Sequence, residues 1–212
     1  MNKYLYVIVS IVISSFSVWG QNAEAILDKA AAAYESSNGI KASFAANIRY
    51  EKEGVAESFE GTIQMKGDKF VLTTPGMRTW FDGKTQWTYM ERTEEVNISN
   101  PSGDELQFTN PMMLLNSYKK GFNLSYIGES TADNGKMADD LLLTSKGKDD
   151  IDKIEVQIEK ATSLPVRMTV TMKNGLRSVI RISKMQTGQN QTNQLFVFNP
   201  GDFPNAVEID LR

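Results

Sequence analysis

From residue 40 onward, apolar and polar positions alternate along much of the chain. Phe44, Ala46, Ile48 and Tyr50 alternate with Ala45, Asn47, Arg49 and Glu51, and Phe59, Gly61, Ile63 and Met65 alternate with Ser58, Glu60, Thr62 and Gln64. Successive side chains on a strand point to opposite faces, so these segments predict two half-buried strands joined near Lys52–Gly54. Lys66-Gly67-Asp68 turns the chain, Phe70 and Leu72 continue the apolar row, and Pro75-Gly76 breaks it. Asp82-Gly83, set between runs of Trp, Phe, Thr and Tyr, predicts a tight two-residue hairpin. Beyond it Thr85, Trp87 and Tyr89 share one face, with Gln86, Thr88 and Met90 on the other. That aromatic face meets either a packed core or a cavity with a guest.

The same alternation returns at Phe122, Leu124 and Tyr126, at Leu141–Thr144, at Ile154, Val156 and Ile158, and at Val166, Met168, Val170 and Met172. Asn174-Gly175 is a second hairpin signal, with the return through Ser178, Ile180 and Ile182. Met185–Gln194 reads as a polar loop, Leu195–Pro200 as a terminal apolar strand or clasp, and Val207, Ile209 and Leu211 finish the chain. Two segments keep a helical period instead. In Gln21–Ser37, Asn22 caps, Glu24 suits the first turn, Ile26, Leu27, Ala30, Ala33 and Tyr34 trace one face, and Asn38-Gly39 stops the helix. Asn110–Gly121 has a cap, Pro at the first helical position, Lys in the last turn and Gly at the end. Its Met-Met-Leu-Leu centre is apolar nearly all round. The sum is about eleven strands and two short helices in one mainly β domain, with spacing that suits an antiparallel sheet closing on itself. No fixed self-similar period points to a propeller or solenoid.

Composition narrows the function. A chain of 212 residues with 41% hydrophobic and 23% charged residues has material for one large core. The net charge of −3, without a long basic run, lacks the footprint of nucleic-acid binding. Cys and His are both absent, which removes thiolate nucleophiles, imidazole bases, disulfides and most zinc sites. At the N-terminus, Met1-Asn2-Lys3, the apolar run Tyr4–Ile13 and Ser17-Val18-Trp19-Gly20 read as an export signal cleaved after Gly20, the run being short for a membrane anchor. Without Cys the exported chain cannot be lipidated on an N-terminal cysteine, and it is expected to diffuse freely.

Candidate chemistry is sparse. Glu94-Glu95, Asp139-Asp140 and Asp149-Asp150 with Asp152 are paired acids, but strand neighbours point to opposite faces and form no dyad. Asp133-Asn134-Gly135 lacks the later ligands of a calcium loop, and Ser43 and Ser178 lack a base and a nucleophile elbow. No catalytic constellation, cofactor motif or metal site emerges. Met65, Met112, Met113, Met168 and Met172 all fall on predicted apolar faces. Met adapts to irregular partners, so together they suggest a concave surface that accepts flexible apolar matter.

The order of features resembles the outer-membrane lipoprotein carrier protein family, LolA. The resemblance rests on F-x-G-x-I-x-x-K-G-D-K-F (Phe59–Phe70), W-F-D-G-K-T-x-W-x-Y (Trp80–Tyr89), N-P-M-M-L-L (Asn110–Leu115) and the late F-x-F-x-P (Phe196–Pro200). It implies a half-open antiparallel β-barrel with an α-helical lid, whose apolar cavity shields lipoprotein acyl chains crossing the periplasm. The partners it implies are lipidated proteins, an inner-membrane lipoprotein-releasing transporter and an outer-membrane acceptor. By the same resemblance Phe70 matches an aromatic at the cavity mouth that engages cargo or transporter. Lys66 stands where better-known members carry a lid-latching Arg, whose planar fork Lys cannot reproduce. The expected cavity lining is Phe44, Ile48, Phe59, Ile63, Phe70, Leu72, Trp87, Tyr89, Met112, Met113 and Leu115. The expected protein is a periplasmic monomer, not an enzyme. The alternative is a sensor or acceptor module of the same fold that binds lipid or a small apolar ligand and acts on a partner protein.

Overall fold

The computed structural model describes residues 18–50, 54–101, 118–119, 121–147 and 150–212. It begins with helix α1 (Val18–Ser36), followed by β1 (Ile40–Tyr50), β2 (Val55–Lys66), β3 (Lys69–Thr74), β4 (Met77–Phe81), β5 (Gln86–Met90) and β6 (Glu95–Ser99). The second series is β7 (Phe122–Thr131), β8 (Met137–Ser145), β9 (Ile151–Glu159), β10 (Pro165–Met172) and β11 (Leu176–Thr187), with β12 (Val207–Asp210) last. All join one sheet in the order β12-β6-β5-β4-β3-β2-β1-β11-β10-β9-β8-β7. The sheet does not close: β12 and β7 are its two edges. Every ladder is antiparallel except that β12 runs parallel to β6, because residues between 187 and 207 carry the chain across the sheet before it pairs.

Tight turns set the register. Lys66 opposes Lys69 across Gly67-Asp68, and Thr74 opposes Met77 across Pro75-Gly76. Pro75 presets its own φ and Gly76 takes φ +74°, the combination a type II turn requires. The Asp82-Gly83 corner differs from its two-residue expectation. Phe81 opposes Gln86, so residues 82–85 all belong to the connection, and Asp82 Oδ1 accepts from the Lys84 and Thr85 amides at 2.9 and 2.8 Å. The carboxylate makes the wider loop by satisfying two amides at once.

Registers then separate two faces. On the inner face Phe44 opposes Gly61, Ile63 opposes Leu72, and Met65, Phe70 and Phe81 follow one another across β2, β3 and β4. Ala23, Leu27, Ala30 and Tyr34 of α1 are buried in the same cluster. The helix starts at Val18, before the expected Gln21. Its C-terminal end is pinned by the Tyr34 hydroxyl, which donates to the Gly67 carbonyl at 2.6 Å. Its middle is held by Asp28, which accepts from the Tyr118 hydroxyl at 2.6 Å and pairs with Lys119 at 2.8 Å. Since Tyr118 and Lys119 lead into β7, α1 ties the far edge of the sheet to the β2–β3 turn.

On the outer face Val71, Trp80, Trp87 and Ile98 follow one another across β3 to β6. The C-terminal segment covers them with 3-10 turns at Asn193–Phe196 and Pro200–Asp202, where a clasp or strand was expected. Phe196 and Phe198 are buried, and Trp80 meets Phe198 and Phe203 edge-on at 5.3 and 5.5 Å. These contacts make the segment a clasp; pairing is confined to β12.

Three expected outcomes follow from this packing. Phe70 is fully buried, 5.5 Å from the Phe81 ring, so Phe70→Glu abolishes the cooperative unfolding transition, and Phe70→Ala lowers stability by about 3–5 kcal/mol in urea titration. A Cβ on Gly61 would lie 2.6 Å from the Thr73 carbonyl and 2.5 Å from the Phe44 ring, so Gly61→Ala destabilises although it leaves no cavity; an unchanged urea midpoint would contradict this packing. Phe198→Ala costs about 3 kcal/mol, whereas Val197→Ala, at a residue 41% exposed, costs under about 0.5 kcal/mol by the same measurement.

Candidate functional site

The inner face is apolar but incompletely covered. Alongside the buried cluster, Phe59, Leu72, Leu124, Tyr126, Val170 and Ile180 pack against it while remaining half-buried. They arrive from both halves of the chain because β1 lies between β2 and β11: Phe44 opposes both Gly61 and Ile182, and Ala46 opposes both Phe59 and Ile180. The alternation of β7, β10 and β11 is plain in the sequence. The position of β11 beside β1, with β10 to β7 following beyond it, is not, and the expected lining therefore omitted these second-half residues.

The expected site residues divide into groups. Phe44, Phe59, Ile63 and Leu72 share the inner face with Phe70, and Ile48 lies on the same side of β1. Phe70 itself is fully buried, with Met65 and Phe81 flanking it on the adjacent strands. Trp87 and Tyr89 are on the other side. Trp87 opposes Trp80 and Ile98, Tyr89 lies 4.6 Å from Phe203, and both pack against the outer cluster. The inner-face residues of β5 are instead Gln86, Thr88 and Met90. A turn of four residues preserves alternation in β4 and β5 but leaves the choice of face to the β3–β4 register. Met112, Met113 and Leu115 lie outside the described residues, as does most of the expected lid helix. Lys66 donates from Nζ to the Gln191 carbonyl at 2.9 Å and so fastens the loop after β11.

A cavity of about 1190 Å³ is lined by residues of both faces of the sheet. Ser43, Ala45, Thr62 and Thr73 point away from Phe44 by register, Phe44, Gly61 and Ile182 come from the inner face, and Asp133 and Arg181 complete this part of the lining. Of the expected site residues, Phe44 contributes to this lining. Arg181 Nε donates to Asp133 at 2.9 Å. Nearby, Asn134 Nδ2 and Lys136 Nζ each donate to the buried Glu159 carboxylate at 3.0 Å. The Asp133-Asn134-Gly135 stretch, too short of ligands for a calcium loop, is thus a hairpin tip tied to Glu159. Among the described residues no group of acids could hold a metal ion.

Electrostatics here serve attachment. Hydrogen bonds from Lys119 and then Tyr118 hold the Asp28 carboxyl below its usual range, and the Asp28 bond in turn raises Lys119. Burial, reinforced by Asp28, pushes the Tyr118 phenol up, and burial with the Asp68 charge does the same to Tyr34. Each displacement is away from neutrality, so these groups keep one protonation state around pH 7. The site offers apolar surface and fixed charges.

A crystal structure of an uncharacterized conserved protein from Thermus thermophilus superposes with TM-score 0.62 at 20% identity, covering 90% of this chain and 99% of that one. A LolA superfamily protein from Nitrosomonas europaea matches with TM-score 0.48 at 13% identity, over 83% of this chain and 97% of the other. A putative outer membrane lipoprotein-sorting protein domain from Vibrio parahaemolyticus gives TM-score 0.48 at 10% identity, over 84% and 97%. No curated protein sequence matches the chain. The family model described as outer membrane lipoprotein carrier protein LolA matches residues 13–179, well over half of the sequence. With its unclosed sheet and helix-bridged inner face, the chain belongs to the outer membrane lipoprotein carrier protein LolA family.

Proposed function

We propose that this protein is an exported, periplasmic carrier that holds the acyl chains of lipidated proteins against its inner face. One observation carries the reading: an unclosed sheet presents a row of half-buried apolar side chains drawn from β2, β3, β7, β10 and β11. The lining we assign combines Phe44, Ile48, Phe59, Ile63 and Leu72 with Leu124, Val170, Ile180 and Ile182, and extends to Met112, Met113 and Leu115. Each buried acyl methylene contributes roughly 0.8 kcal/mol, so a lipoprotein's chains resist transfer into water by tens of kcal/mol. A carrier must cover them and later release them. An open sheet does both, because cargo leaves without the breaking of a continuous ladder of backbone hydrogen bonds. Cargo would come from an inner-membrane transporter and pass to an outer-membrane acceptor, with the carrier acting as a monomer and without catalysis.

The test is purification of the tagged protein from the periplasm under detergent-free conditions, followed by mass spectrometry of bound material. Lipidated proteins are the expected partners, and Ile182→Gln, at a half-buried inner position, lowers their recovery several-fold while costing folding only about 1–2 kcal/mol. Recovery of free lipid alone would make the protein a lipid-binding module and reject the carrier role. An empty protein in every preparation would reject both.

A further inference from the structure

The outer face of the second half of the sheet carries an arrangement that its fold does not need. Arg49 of β1 lies directly opposite Arg177 of β11, and Arg181 of β11 lies directly opposite Arg167 of β10. Like charges facing one another across a ladder are destabilising. The other cross-strand neighbours of these four arginines are Ala56, Thr171, Ala45 and Gln157, so no carboxylate opposes any of them. Arg181 reaches Asp133, but Arg49, Arg167 and Arg177 have no ion-pair partner among the described residues.

Two of these arginines share a recess. Arg167 and Arg177 line a cavity of about 320 Å³ together with Lys153, Thr169, Asp140 and Glu155. Thr171, which lies between Lys153 and Arg177 in the register, has a buried hydroxyl without a hydrogen-bond partner. The acids are only lightly engaged: Gln157 donates to Asp140 at 3.1 Å, and Lys153 Nζ lies 3.8 Å from Glu155. The recess therefore offers two guanidinium groups to an anion and two carboxylates to a cation. Its volume suits a small molecule or a headgroup.

We propose that this recess binds a small zwitterion in which a phosphate is joined to an ammonium group, as in phosphoethanolamine. Arg167 and Arg177 receive the phosphate oxygens through charge-assisted, fork-shaped hydrogen bonds, relieving the repulsion each feels from its opposite arginine. Lys153 adds a third positive charge, and Asp140 and Glu155 face the ammonium. The site is on the opposite side of the sheet from the proposed acyl-binding surface and does not depend on it.

Isothermal titration of the whole exported chain distinguishes the sources of this chemistry. Phosphoethanolamine represents a free monoester, and glycerophosphoethanolamine represents a lipid headgroup without its chains. Millimolar or tighter binding of either is expected, with inorganic phosphate weaker, and the better of the two compounds identifies the source. The double variant Arg167→Gln/Arg177→Gln weakens binding by about tenfold or more while its thermal midpoint holds or rises, because like charges are removed. Should that variant fold poorly, Lys153→Gln supplies the same comparison at a single cation. No binding of either compound, or inorganic phosphate binding as tightly as both, would overturn the proposal. So would a well-folded double variant that binds like the wild type.

Discussion

Strand β1 is the constraint on which the molecule depends. It pairs with β2 along its whole length and with β11 over almost the same span, so it is the seam between two sheets' worth of hairpins. A shift of one residue on either side would exchange the faces of an entire half. Phe44 would then turn away from α1, and the lysines, arginines and glutamates of the outer face would enter the cluster. Gly61 marks how closely the seam is fitted: the Phe44 ring occupies the space where a side chain on the neighbouring strand would stand.

From that seam the two faces acquire different fates. The outer face of β3 to β6 is aromatic and is closed by the chain's own C-terminal segment, with Phe198 and Phe203 stacked beside Trp80. The inner face is aliphatic and aromatic over a wider area, yet one helix is the covering element among the described residues, and many of its side chains stay half-buried. A face closed from within adds stability. A face left partly open costs some of it and keeps surface for something else, which is the physical basis for the proposed use of the inner side as a binding surface.

The helix on the inner face is held by polar contacts at its C-terminal end and at its middle. Tyr34 reaches a turn carbonyl, and Asp28 gathers a phenol and an ammonium from the entry to β7. Such contacts fix position at little cost in apolar surface, since each consists of one or two polar bonds. They leave the spacing between α1 and the sheet to be decided by Ala23, Leu27 and Ala30, small and medium side chains that let the helix lie close to the strands.

Alternation by itself determined that this chain is a meander of strands with an amphipathic helix in front, and the motifs from Phe59 to Phe70 and from Trp80 to Tyr89 pointed to the right family. Local chemistry was enough because a strand's two-residue period and a turn's need for Gly, Pro or Asp are written into adjacent residues. Tertiary structure decided which face was which. Trp87 and Tyr89 belong to the outer cluster and Phe70 to the sealed core, since burial depends on what crosses over a strand, and the covering pieces lie far away in sequence. The contribution of β7, β10 and β11 to the inner face, and the opposed arginines behind it, likewise exist only once β11 has come to lie against β1.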